Sequence, residues 1–224
     1  MQDFEEKLLA LIEERESVLT EIEKTIFTKR YNLSKKHFEI FSVQTVSMIY
    51  AIWEGFIQQT FGLYIDELNR LHLPFKNLHD TIQVFHLENT FKQFNEYPDK
   101  LTSKARFHEK LREFHLQEHH NIYRIVNTES NISFEVLNKL LEKFNLEKLS
   151  PHCGIYTHPN PSLKEMMKTF LDYRNGIAHG GDISAEEKVT QNVYTKYRKL
   201  VVDLMYNIHE RMMKGIENET YLKI

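Results

Sequence analysis

Helical faces dominate the hydrophobic pattern of this chain. Phe4, Leu8, Leu11, Ile12, Leu19, Ile22 and Ile26 recur at the spacing of one buried stripe. Asp3 is the predicted N-cap, with Glu6 three residues on, and the helix ends near Arg30, before Asn32 and Ser34. The next helix is predicted to be the longest, from about residue 34 to 72, where Pro74 stops it. Its centre is apolar on most sides (Val46, Met48, Ile49, Ile52, Trp53, Phe56, Ile57), as a helix covered by several neighbours must be. Glu54 lies inside that stretch. It is either turned to solvent or paired, because a lone buried carboxylate is too costly.

From Leu78 to Arg124 the pattern predicts two shorter helices broken at Glu96-Tyr97-Pro98-Asp99, with Asp80 and Thr102 or Ser103 as caps. Phe85, Leu87, Phe91, Phe94, Phe107, Leu111, Phe114 and Leu116 carry their apolar faces. A further helix runs from an Asn131 or Ser133 cap through Phe144, and a loop spans about 147–161. Ser162 with Glu165 then predicts a capping box. Leu163, Met166, Met167, Phe170, Leu171, Ile177 and Ala178 make one face of a helix over about 162–179, and Gly180-Gly181 stops it. Ser184 with Glu187 opens a last helix to about Lys214, lined by Val189, Val193, Tyr197, Leu200, Val201, Leu204, Ile208 and Met212.

Composition narrows the class. With 27% charged and 41% hydrophobic residues, the 224-residue chain has ordinary globular composition and enough length for one well-buried domain spanning 1–224. Only 7 Gly and 5 Pro argue against a loop-rich β protein. The single cysteine, Cys153, excludes an intrachain disulfide and suits a reducing cytoplasm. Charged Asp3, Glu5, Glu6 and Lys7 do not read as a signal peptide, and no apolar run reads as long enough to cross a bilayer. The expectation is a cytoplasmic protein without a membrane partner.

Net charge is −3, so any nucleic-acid contact must come from a local patch. The densest positive run is Lys100, Lys104, Arg106, Lys110 and Arg112. Such a run is ordinarily a solvated face; beside a cleft, Lys104 and Arg106 would track phosphates. His115 and His119 stand at i, i+4, but no acidic or cysteine partner at ligand spacing completes a zinc set. His152-Cys153 with His158 is also incomplete. No metal and no cofactor is therefore expected.

One residue breaks the pattern. Arg174 falls on the apolar stripe of the 162–179 helix, where Leu or Met would be expected. Its guanidinium cannot lose its charge, so it must find partners or line a cleft. His179 lies in the final turn, beside carbonyls that favour a charged imidazole. Five residues separate the two, which on an ideal helix points them roughly 140° apart. They converge on one phosphate only if the helix loosens, as Gly176 permits, or if a second copy of the chain meets it there.

Arg174-Asn175-x-x-x-His179-Gly180 near the end of a penultimate helix resembles the signature of the HEPN superfamily (higher eukaryotes and prokaryotes nucleotide-binding). Ile49 to Ile57, and Asn131 to Phe144 followed by Leu171 to Gly180, are similar to the MAE-type and RiboL-PSP-type HEPN branches. The resemblance implies an all-α, HEPN-like up-and-down helical bundle, here with extra helices in the middle section, that works as a homodimer. It also implies a metal-independent endoribonuclease of toxin–antitoxin, phage-defence or RNA-processing systems. The alternative is a catalytically silent HEPN module that binds RNA, nucleotide or a partner protein such as an antitoxin. A plain helical adaptor is a third class. The HEPN branch whose toxins carry Tyr two residues after the His is disfavoured, because position 181 is Gly.

The residue types suit that chemistry. Metal-free RNA cleavage uses the neighbouring 2′-hydroxyl as nucleophile, so it needs a base, an acid and a cation on the phosphorane. His179 titrates near neutrality and fits base or acid. Arg174 can fork two phosphate oxygens. Asn175 can hold the phosphate or fix the imidazole, and Glu54 is the candidate to orient Arg174 or His179 from the facing helix. One chain supplies one motif histidine where two proton-transfer partners are needed, and a symmetric dimer would supply both.

Overall fold

Residues 2–28, 31–129, 131–178 and 189–223 are described by the computed structural model. They form α1 (Gln2–Phe27), α2 (Lys35–Arg70), α3 (Asp80–Thr90), α4 (Leu101–Leu116), α5 (Phe134–Lys143), α6 (Leu163–Ala178) and α7 (Gln191–Glu217). No strand occurs among the described residues, and the fold is all-α. Single 3-10 turns sit at Phe75–Asn77 and Lys92–Phe94.

The axis of the structure is α2, which packs against α1, α6 and α7. This explains its sequence: a helix with three neighbours is covered around most of its circumference, although Met48, expected in the covered centre, lies on a narrow exposed stripe with Phe41 and Ala51. Val46, Ile49, Tyr50, Trp53, Phe56, Ile57, Phe61, Tyr64 and Ile65 are all buried. By length and composition α2 is apolar enough to cross a bilayer, which corrects the reading of no such run. Much of its apolar surface is covered here by its own neighbours.

The stripe of α1 is buried as its periodicity requires, at Phe4, Leu8, Leu11, Ile12, Leu19 and Ile22. The α1–α7 contact is pinned by polar bonds at its margin. The Tyr194 hydroxyl donates to the Leu19 carbonyl at 2.5 Å, and Arg198 pairs with Glu23 at 2.9 Å. Phe170 of α6 stacks on Tyr197 of α7, with centroids 4.9 Å apart.

Several helix starts differ from expectation. Asp3 lies inside the first turn of α1 and pairs with Lys7, rather than capping. His79 caps α3 in place of Asp80, because its Nδ1 is free to accept from the Thr81 N–H. Asp80 instead pairs with Lys223 at 2.7 Å, where the C-terminal tail joins residues 77–79. Lys100 precedes α4 without a side-chain cap, so neither Thr102 nor Ser103 caps it. Thr190 caps α7 by accepting from Val193, so this helix begins at Gln191; Ser184 and Glu187 lie outside the described residues. Leu116, assigned to an apolar face, is 82% exposed because α4 ends there.

The middle section docks at the far end of α2. Phe114 of α4 meets Phe75, Phe91 and His120, the last stacked at 3.6 Å between ring centroids. Phe85 of α3 packs on Phe144 beside α5, at 4.9 Å. From there residues 122–132 run back along α2. Asn69 brackets Ile122 with two hydrogen bonds, Arg124 pairs with Asp66, and the Ile132 N–H donates to the Tyr50 hydroxyl oxygen. Asn69 and Tyr50 are about 28 Å apart along the helix axis, so ten residue steps must be nearly extended.

Candidate functional site

Ser162 and Glu165 fix the start of α6 as a reciprocal capping box. The Ser162 N–H donates to the Glu165 carboxylate at 2.8 Å, and the Glu165 N–H donates to the Ser162 hydroxyl oxygen at 3.3 Å. The Ser162 hydroxyl, donating to the same carboxylate at 2.7 Å, and the Ser162 N–H together hold the Glu165 carboxyl below its ordinary range. With the start fixed, the stripe Leu163, Met166, Met167 and Phe170 is buried against α2, α5 and α7. One turn beyond Phe170, Arg174 lies on the same stripe and meets Tyr50.

The guanidinium of Arg174 sits 4.7 Å from the centre of the Tyr50 ring. Its Nη1 donates to Asn175 Oδ1 at 2.9 Å and to Asn131 Oδ1 at 3.2 Å. The side chain is half-buried. Thus a charge on an apolar stripe is tolerated here by a ring face and two amide oxygens, with no carboxylate among these partners. Among the described residues, no acceptor is bonded to Nε or Nη2. That edge is a two-donor fork of the shape that binds phosphate.

Tyr50 is 2% exposed, and burial raises its phenol above the ordinary range, with the nearby Glu54 charge adding to the effect. It therefore stays neutral, and its oxygen accepts from the Ile132 N–H at 2.7 Å. Tyr50, Glu54 and Gln58 share one flank of α2 at four-residue spacing. Glu54 is half-buried and accepts from the Thr128 hydroxyl at 3.0 Å, while Gln58 donates to Thr128 at 3.4 Å.

Of the residues singled out from sequence, Arg174 and Asn175 meet directly, and Glu54 lies one helical turn from the ring on which Arg174 rests. Glu54 is directed to Thr128 rather than to Arg174, whose bonds go to the two asparagines. His179 lies outside the described residues. Lys104 and Arg106 are not brought to this site. Lys104 stands 5.1 Å from the Tyr97 ring, Arg106 is exposed, and their helix is anchored through Phe107 and Phe114 at the other end of α2.

Two histidines of the middle section, His86 and His120, serve packing, whereas His115 and His119 are exposed. His86 is buried, its Nδ1 accepts from the Tyr123 N–H at 3.0 Å, and burial pushes its pKa down to about 4. His120 stacks on Phe114 and bonds the Phe114 carbonyl oxygen at 3.0 Å. No group of three or more His, Cys, Asp or Glu placed to hold a metal ion is found among the described residues.

Sequence reasoning missed Tyr50 and Thr128, and it took Asn131 only as a helix cap. Ser133 caps α5 instead, which leaves the Asn131 amide for Arg174. A tyrosine one turn before a core glutamate was the available signal for Tyr50. Nothing local marks Thr128, which reaches the site only because the 122–132 segment returns along α2.

A family model for the MAE_28990-like HEPN proteins matches residues 4–221, nearly the whole chain. Neither the curated proteins nor the solved structures contain a significant match.

Proposed function

Since the chain belongs to the MAE_28990-like HEPN family, we propose that it is a metal-independent endoribonuclease, acting as a toxin or phage-defence effector. The observation that carries this reading is the Arg174 fork: a permanent cation on a buried stripe, held by the Tyr50 ring and two amide oxygens, with two donors that no other described residue takes up. Arg198, by contrast, is neutralised by the Glu23 carboxylate at 2.9 Å.

In this mechanism the Nε and Nη2 donors of Arg174 bind the scissile phosphate and balance the charge that builds on the phosphorane. His179 exchanges the proton of the 2′-hydroxyl or of the leaving 5′-oxygen. Asn175 takes up the Nη1 end of Arg174 and so leaves the other edge for the phosphate. The second imidazole comes from a second copy of the chain.

The test is cleavage of total RNA by purified protein in EDTA, with His179→Ala as the control. Wild type should leave 2′,3′-cyclic phosphate ends and the variant none. Cleavage lost on chelation and restored by added metal overturns the mechanism. If RNA is bound but never cut, the silent binding module is the better reading. Excess His179→Ala subunits, once exchanged into wild-type dimers, should poison activity. Activity that simply tracks the number of wild-type chains removes the composite site.

A further inference from the structure

We infer that Asn131 and Tyr50 are the positioning residues of Arg174, together aiming its Nε/Nη2 edge at a phosphodiester phosphate. The inference rests on the endoribonuclease reading only for what the phosphate belongs to; the clamp itself is a matter of geometry.

A free arginine side chain has many rotamers, and its fork binds phosphate well only in one plane. Two contacts from different directions fix that plane here. The Tyr50 ring lies under the guanidinium at 4.7 Å, and the Asn131 amide oxygen takes one Nη1 proton at 3.2 Å. Asn175 takes Nη1 as well, but from the neighbouring position on the same helix, so it moves with Arg174 and cannot locate it in the protein. Tyr50 and Asn131 come from elsewhere and can.

Both are themselves held. Tyr50 is buried in the core helix, and its oxygen accepts from the Ile132 N–H at 2.7 Å. That bond fixes the backbone next to Asn131. Thr128, three residues before Asn131, is tied to Glu54 and Gln58. The segment that delivers Asn131 is therefore moored on both sides of it. The bonds to Asn131 and Asn175 both take up the Nη1 end of the guanidinium. A phosphate approaching the remaining edge meets two parallel donors whose direction is already set, so less ordering is left for the transition state.

The test has one arm that does not depend on activity. The Arg174 Nε–H resonance, assigned by its absence in Arg174→Lys, should show the heteronuclear NOE of an ordered side chain in the full-length protein. In Asn131→Ala and Tyr50→Leu it should become mobile, while Tyr50→Phe, which keeps the ring but frees the Ile132 N–H, should fall between wild type and Tyr50→Leu. The backbone spectrum reports whether each variant is folded. Equal order in wild type, Asn131→Ala and Tyr50→Leu overturns the inference, whatever the protein does to RNA. In the second arm, kcat for a labelled oligoribonucleotide should fall roughly ten- to a hundredfold in Asn131→Ala, with KM changed far less. A wild type that cleaves while Asn131→Ala cleaves equally well also overturns it. A wild type that cuts no RNA sinks the endoribonuclease reading and leaves the NMR arm to decide this one.

Discussion

Arg174 rests on the face of Tyr50, 4.7 Å from the ring centre, although the two side chains stand on helices more than 120 residues apart in sequence. A cation over a ring in a partly dry site is worth about 0.5–2 kcal/mol. Arg174→Ala should therefore lower the melting temperature by a few degrees and abolish cleavage. Arg174→Lys keeps a charge over the ring but offers no fork, so it should stay folded and cleave poorly. Thermal melts beside an RNA-cleavage assay check both. An unfolded alanine variant would make Arg174 a structural residue.

Glu54 tests the same flank of α2 one turn beyond Tyr50. Its Oε1 accepts from Thr128, and Glu54→Gln keeps that acceptor, so the melting temperature should hold within a degree or two. If the carboxylate charge serves the reaction, kcat falls about tenfold or more. Equal losses of stability and activity would mark Glu54 as packing. No loss of either retires it from the site.

Lys104 and Arg106 should matter only for long RNA. Their helix is anchored at the end of α2 about 28 Å from Tyr50. Binding of a short oligonucleotide should be indifferent to Lys104→Ala and Arg106→Ala. For a longer single strand the salt slope should become shallower by about 0.7 for each phosphate that the variant no longer neutralises. An unchanged slope at every length makes the run a solvated face.

Acid stability should depend on His86. Burial lowers its folded pKa to about 4, against an ordinary value of 6.5. Between those values the unfolded chain binds a proton that the folded chain refuses, so stability falls as pH drops from about 6.5 towards 4. His86→Phe cannot take up that proton. It should be less stable at neutral pH, since the Tyr123 N–H loses its acceptor, yet lose less stability across this window. Denaturant midpoints at a series of pH values would show it, and identical slopes would refute it.

Gly215→Ala should destabilise the protein in spite of the better helix former. Alanine gains about 1 kcal/mol over glycine inside a helix. The new Cβ would collide with Leu146 Cδ2 and come within 3.1 Å of the Tyr64 hydroxyl. Leu146 and Tyr64 are both buried, so neither yields freely, and overpacking of about 1–3 kcal/mol should win. Urea denaturation decides the sign.

Short-range periodicity and local chemistry were enough to lay out the helices. The stripes of α1, α6 and α7, the largely apolar centre of α2 (Met48 excepted) and the Ser162–Glu165 box are local patterns, and each appears in the structure. Arg174 was conspicuous because one charge on a stripe is a contradiction that the fold has to resolve. Which groups resolve it is settled only in three dimensions. Tyr50 and Asn131 reach Arg174 because α2 packs on α6 and because an extended segment returns along α2. Ser133 rather than Asn131 caps α5, a choice between two nearby polar residues that propensity leaves nearly even. The distance between the basic run and Arg174 was equally hidden. It depends on where Phe107 and Phe114 dock, and a periodic stripe says that a helix has a partner but not which one.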